Sequence, residues 1–244
     1  MDFKLKKAGV KVLHVDENYI VVSKPSGLLT IQDRYKAEVP KLKQMLTDVY
    51  GEVLTVHRLD KDTSGVICFA RNTNAHKHLN IQFANGLVKK IYWAFVQGRP
   101  AVDEGQVDMP ILNDMKNSGR MLIHKEGKEA LTYFRTLATF GNIALLECFP
   151  KTGRTHQIRV HCYYLGCPLL VDALYHQKDA FYLSAIKRNY RYAKFEEERP
   201  LITRLTLHAK SIQFKTIDGK ELVVQSELPK DLRALHNQLS KIEI

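Results

Sequence analysis

An α+β fold built on a large mixed sheet is what this sequence predicts, with helices and loops flanking it. Three observations carry that expectation. Short runs rich in β-branched and apolar residues recur along the chain, several of them joined by hairpin-like turns. Stretches with apolar residues at helical spacing are few. One pair of runs, 53–56 and 66–70, is near-continuously apolar, as in strands covered on both faces.

Taken in order, residues 11–15 and 19–23 read as a hairpin around Asp16-Glu17-Asn18, and Lys24-Pro25-Ser26-Gly27 stops its second strand. Leu42, Met45, Leu46 and Val49 form a helical stripe between Pro40 and Gly51. The two apolar runs follow. Residues 72–83 form a second helix, with Ala75, Leu79 and Phe83 inward and Asn85-Gly86 as its stop. A strand over 88–96 carries Tyr92 and Trp93. Residues 98–128 read mostly as loop, with one short strand near Met109-Pro110-Ile111. A hairpin spans 130–137 and 142–149. Thr155 reads as the cap of a helix that buries Ile158, Cys162 and Leu165 and ends at Gly166 and Pro168. Strands over 205–209, 211–215 and 221–225 come last, the final two joined by Asp218-Gly219. Leu232, Leu235 and Leu239 mark a closing helix. With no repeat, low-complexity run or linker, a single domain over 1–244 is expected.

Hydrophobic residues make up 45% of the 244, an ordinary globular share. The net charge of +11 favours a polyanionic partner, although charge alone fits any basic protein. No apolar run approaches the roughly 20 residues of a membrane span, and the basic N-terminus lacks a signal-peptide core. Cys68, Cys148, Cys162 and Cys167 form no C-x-x-C pair; they read as free thiols of a reducing, cytoplasmic compartment. His57, His156, His161 and His208 lack the tight pairing of zinc ligands, so no metal is expected.

Between the two apolar runs stands His57-Arg58-Leu59-Asp60-Lys61-Asp62-Thr63-Ser64-Gly65, closed by Thr63-Ser64-Gly65 with turn chemistry. Alone, it reads as a charged surface turn. A second dense run is Lys151-Thr152-Gly153-Arg154-Thr155-His156-Gln157-Ile158-Arg159, which alone reads as a polar helix start. If Thr155 caps that helix, His156, Arg159 and Tyr163 share a face.

Together the runs resemble the RluA family of RNA pseudouridine synthases. His57-Arg58-Leu59-Asp60 with Thr63-Ser64-Gly65 is similar to the family's catalytic loop, and Thr152 to Arg159 to its T-G-R-x-H-Q-[IL]-R motif. Lys90-Ile91-Tyr92 fits K-x-Y, Leu207-His208-Ala209 fits L-H-A, and Lys24 to Gly27 fits a K-P-[SA]-G turn. The resemblance runs from about Val12 to Leu228 and implies the pseudouridine-synthase fold, with a bent, mostly antiparallel sheet. The small N-terminal S4-type RNA-binding domain of many members is not expected, for want of room before Lys11.

The resemblance implies conversion of uridine in ribosomal or transfer RNA to pseudouridine. Asp60 is then the catalytic carboxylate, and Arg159 is the cation paired with it. Tyr92 stacks on the target base and takes the C5 proton. Arg58 fills the space left by a flipped nucleotide, and Leu207 packs beneath Tyr92. His57, Thr63, Ser64, Gly65, Arg154, His156, Gln157 and His208 complete the substrate-binding set. No cofactor is needed, because the reaction is an isomerisation. RNA is the expected partner, and a monomer without membrane or obligate protein partner is expected. A non-catalytic RNA-binding protein has no need of the Asp60, Tyr92, Arg159 set. A metal-dependent nuclease using Asp60 and Asp62 needs more clustered carboxylates.

The segment 175–204 interleaves Lys187, Arg188, Arg191 and Lys194 with Tyr175, Phe181, Tyr182, Tyr190, Tyr192 and Phe195. It reads either as a solvated insertion or as a flap in which cations meet phosphates and aromatics meet bases.

Overall fold

The computed structural model describes residues 3–31, 40–187 and 197–242. In chain order its elements are α1 (Phe3–Lys7), β1 (Lys11–Val15), β2 (Tyr19–Lys24), α2 (Leu42–Tyr50), β3 (Leu54–Thr55), β4 (Ser64–Ala70) and α3 (Thr73–Ala84). Then come β5 (Lys89–Gln97), β6 (Glu104–Asp108), β7 (Ile111–Asn113), β8 (Met121–Ile123), β9 (Leu131–Phe140), β10 (Ile143–Pro150) and α4 (Gln157–Tyr164). The chain closes with β11 (Leu207–Lys215), β12 (Glu221–Gln225) and α5 (Lys230–Leu239). The fold is α+β with a large mixed sheet and flanking helices, as the sequence predicts. It divides into two compact units, Met1–Tyr92 with His208–Glu227, and Trp93–Leu207 with Leu228–Ile244.

In the first unit β1 pairs with β2, and β2 with β4, both antiparallel. The other side of β4 pairs in parallel with β11 at Ser64–His208 and Gly65–Ala209, and antiparallel with β3 at its far end. All seven residues of β4 are buried, which is why its sequence is apolar without alternation. Ser64 and Gly65 therefore open a strand and do not close a turn. Gly65 is required for a different reason: at φ +116°, an added Cβ lies 2.2 Å from the Ala209 carbonyl oxygen. Asn72 caps α3 by accepting from the Ala75 amide. Leu42 and Leu46 of α2 and Ala75 and Leu79 of α3 enter the core around β2 and β4.

In the second unit β10, β9 and β6 run antiparallel in succession, and β7 and β8 form a separate hairpin. α5 buries Leu232, Leu235 and Leu239 in a cluster with Phe95, Phe140 and Leu145.

Four expectations are corrected. Residues 98–128 hold three strands, not mostly loop; β6 is an edge strand that fully buries only Val107, so it shows almost no apolar signal. The strands expected at 205–209 and 211–215 are one, β11. Lys210 interrupts the apolar pattern but not the strand, reaching with its ammonium to the Ser226 carbonyl. α4 starts two residues after Thr155, with His156 left-handed at its N-cap. The first six residues of α4, from Gln157 to Cys162, are buried on every side, so Ile158 and Cys162 form no separate stripe; only Tyr163 and Tyr164 at its end are exposed. All four cysteines are free and buried. No described helix is long and apolar enough to cross a membrane.

Candidate active site

The run from His57 to Thr63 links β3 to β4, and its backbone is tightly held. Four successive carbonyls, those of Leu59, Asp60, Lys61 and Asp62, each accept a hydrogen bond. Their donors are the Thr30 hydroxyl at 2.9 Å, the Thr63 amide at 3.2 Å, the Lys24 ammonium at 2.8 Å and the Ser26 hydroxyl at 2.7 Å. The Gly27 amide adds a second bond to the Lys61 carbonyl, at 2.9 Å. Lys24 is fully buried, and its ammonium also donates to Leu28 and Pro25 carbonyls at 2.8 and 3.0 Å. An ammonium with three acceptors satisfies its desolvated charge and locks the turn to the loop. The turn read as a strand stop is thus the clamp of the His57–Thr63 loop.

Leu59 is buried as the loop's anchor, Asp60 and His57 are half-buried, and Arg58 is exposed. The Nε2 of His57 accepts from the Cys68 amide at 3.2 Å, and its ring stacks on Phe83 with centroids 4.8 Å apart. An accepting Nε2 requires the neutral ring. In agreement, burial and then the Lys90 charge bring the His57 pKa down to about 3. His57 therefore contributes shape and a Nδ1 proton, not a positive charge. Thr63 and Ser64 are buried, and the Ser64 hydroxyl bonds the Nδ1 of His208 at 2.9 Å. The Nε2 of His208 donates to the Ser226 carbonyl at 3.2 Å, so this histidine ties β4 to β11 and to the segment after β12.

On β5, Lys90 and Tyr92 share a face, two residues apart. Burial lowers the Lys90 pKa to about 8. Burial first, then the nearby Asp60 carboxylate, push the Tyr92 phenol well above its ordinary value. Within the first unit the Asp60 carboxylate lies near enough to act on the Tyr92 phenol.

In the second unit, Gln157 organises the other motif. Its carbonyl accepts from the Thr152 hydroxyl at 2.7 Å and the Arg154 amide at 3.0 Å. Its amide donates to the Leu131 carbonyl at 3.0 Å and the Thr132 hydroxyl at 2.9 Å. Arg154 is exposed, with Nε on the Glu129 carbonyl at 2.8 Å. Arg159 is buried and gives Nε and Nη2 to the two oxygens of Asp172, each at 2.8 Å. Asp172 also accepts from the Leu174 and Tyr175 amides. Such a fork fixes the direction of the guanidinium's edge. His156 is left-handed at φ 55° and bonds the Tyr175 hydroxyl through Nδ1 at 3.0 Å. Leu207 is buried.

Sequence reasoning missed Asp172, Tyr175 and the clamping role of Lys24. A lone carboxylate straight after the apolar Leu169-Leu170-Val171 was the available signal for Asp172. In the expected flap, Tyr175 and Phe181 are buried and offer no stacking platform; Tyr182 and Lys187 are exposed. Arg188 and Arg191 lie outside the described residues. Among the described residues no three His, Cys, Asp or Glu side chains gather as a metal site.

Residues 18–164 match the family model for RNA pseudouridylate synthases. The chain is 32% identical over 225 residues to an uncharacterized RNA pseudouridine synthase of Zymomonas mobilis, covering 90% of this chain and 94% of that one. It is 36% identical over 180 residues to the dual-specificity RNA pseudouridine synthase RluA of Vibrio vulnificus, covering 71% and 72%. The structure of human RNA Pseudouridylate Synthase Domain Containing 4 superposes with a TM-score of 0.72 at 25% identity, covering 97% of this chain and 94% of that one. The fold, the motifs and these matches define an isomerase that acts on RNA. The chain belongs to the RluA family of RNA pseudouridine synthases.

Proposed function

We propose that this enzyme isomerises specific uridines of structured ribosomal or transfer RNA, with Asp60 as the catalytic carboxylate. One observation carries the assignment of Asp60. The backbone of its loop is hydrogen-bonded at four successive carbonyls, while its half-buried carboxylate sits close enough to Tyr92 to raise the phenol's pKa. A carboxylate on a rigid loop beside an aromatic ring is placed to meet a stacked base.

In the reaction the C1′–N1 bond breaks, the uracil turns, and C5 bonds to C1′. C5 loses a proton and N1 gains one, so the product is an isomer and no redox partner or donor takes part. Asp60 acts on the sugar, as nucleophile or as base. Its target nucleotide leaves the helical stack, with exposed Arg58 filling the gap. Arg159 is the cation of the site, and exposed Arg154 and Lys187 meet phosphates. Tyr92 stacks on the uracil. Burial, and then the Asp60 charge, favour its protonated phenol in the free enzyme. That charge vanishes when Asp60 bonds C1′ or takes a proton, which eases ionisation of the phenol; its proton leaves through solvent toward N1, and the phenolate takes the proton from C5.

RNA carrying tritium at uridine C5, taken from cells lacking this protein, releases tritium to water as pseudouridine forms. Asp60→Asn is expected to abolish release while RNA binding persists. Asp62→Asn is expected to remain within a few-fold of wild type, because only its carbonyl is tied into the loop. Equal losses from both would overturn Asp60 as the unique catalyst. Tyr92→Phe should stall the reaction before C5 deprotonation; near wild-type release would leave Tyr92 as a packing residue.

A further inference from the structure

Arg159 is gripped in two directions. Its edge meets Asp172 through two bonds of 2.8 Å. Its guanidinium also lies over the face of the Tyr175 ring, with the guanidinium carbon 5.0 Å from the centroid. The first grip leaves a freedom: a planar fork on a carboxylate can still tilt about the line joining its two bonds. A π face beside the guanidinium opposes that tilt, and the attraction is strong when the pair is shielded from water. Tyr175 is only 4% exposed.

The Tyr175 ring is itself fixed from several sides. Its hydroxyl accepts from the Met121 amide of β8 at 2.9 Å and bonds His156 Nδ1 at 3.0 Å. A second guanidinium, that of Arg120, stands 5.4 Å from the same ring and 5.8 Å from the ring of Tyr163. His156 adopts a left-handed backbone that a non-glycine residue keeps only where its surroundings over-determine it. Tyr175 is one of those surroundings. It thus joins the β7–β8 hairpin to two residues of the second motif.

We propose that Tyr175 is a positioning residue for Arg159, setting the plane of the guanidinium through its ring face. The proposal rests on the reading of Arg159 as the cation of the site. Tyr175 touches no substrate in this assignment; its ring face acts through Arg159, while its hydroxyl holds His156.

Tritium release from C5-labelled total RNA of cells lacking the protein, measured across RNA concentration, tests it. Tyr175→Met fills the volume without a π face and should lower kcat about tenfold with KM within about twofold. Tyr175→Phe keeps the face and should hold kcat within about threefold. In an Arg159→Lys background, Tyr175→Met should add less than about twofold, because the group it positions has already changed. Tyr175→Leu takes the place of Tyr175→Met if the latter does not fold. Wild-type kcat in Tyr175→Met, equal losses from Phe and Met, or losses that multiply with Arg159→Lys would each overturn the inference. Full activity in Arg159→Lys alone would remove the reading of Arg159, and the inference with it. Dependence on Arg159 without dependence on Tyr175 would remove only the inference.

Discussion

Two buried cations, one in each unit, are held in opposite ways. Lys24 sits among three backbone carbonyls, one of them in the Asp60 loop. Arg159 sits against a carboxylate and an aromatic face. The chemistry of each head group explains the choice. An ammonium is a compact point charge whose three donors spread in space, so it gathers separate strands of backbone. A guanidinium is a planar fork whose donors point in parallel, so it locks onto one carboxylate. Lys24 therefore fixes a backbone, and Arg159 is itself what is fixed. The comparison also separates two electrostatic states. Three carbonyl dipoles face the Lys24 ammonium, whereas a carboxylate faces the Arg159 guanidinium.

The largest effect should come from removing that carboxylate. Asp172→Asn keeps the shape but leaves Arg159 buried with an amide, and a broken buried pair costs about 3–5 kcal/mol. Urea unfolding measures it; a loss below about 1 kcal/mol would show that the pair is not what holds Arg159. Lys24→Met should cost less, about 2–4 kcal/mol, because three carbonyls lose a donor. It should also reduce tritium release further than stability accounts for, since the Asp60 loop loses its clamp. If Lys24→Met proves the more damaging to stability, the distinction between dipolar and ionic satisfaction fails. Gly65→Ala probes the same loop without touching charge. It drives a methyl into the Ala209 backbone, and such overpacking costs about 1–3 kcal/mol.

The smallest effect concerns pH. His57 has a folded pKa of about 3, below its unfolded value of 6.5, so the unfolded chain binds the proton more readily. Its contribution to stability is complete above about pH 6.5 and shrinks as pH falls below it. Melting temperatures between pH 7 and pH 4.5 should therefore fall more steeply for the wild type than for His57→Gln. Parallel curves would show that His57 does not resist protonation, and that its Nε2 is not held as an acceptor.

Much of this molecule was legible along the chain. β1, β2, α2, α3, β9, β10 and α5 follow from apolar spacing and turn residues, because their partners in packing lie close in sequence or their stripes are strong. Asp60 and Tyr92 were legible as members of motifs. β6 and the β7–β8 hairpin were not, because edge and solvent-facing strands bury too few residues to mark the sequence. Nor was the interior of β11, where Lys210 hides its charge at the end of an apolar stem.

The sequence by itself determined which residue types carry the chemistry, since each motif states them in a contiguous run. Only the tertiary structure decided what holds those residues still. Thr30 reaches Leu59 across 29 positions, Lys24 reaches Lys61 across 37, and Ser64 reaches His208 across 144. Asp172 and Tyr175 close on Arg159 from beyond the end of its helix. Hydrogen bonds and ring contacts act over a few ångströms of space, and no local pattern encodes which distant segments folding brings within that range.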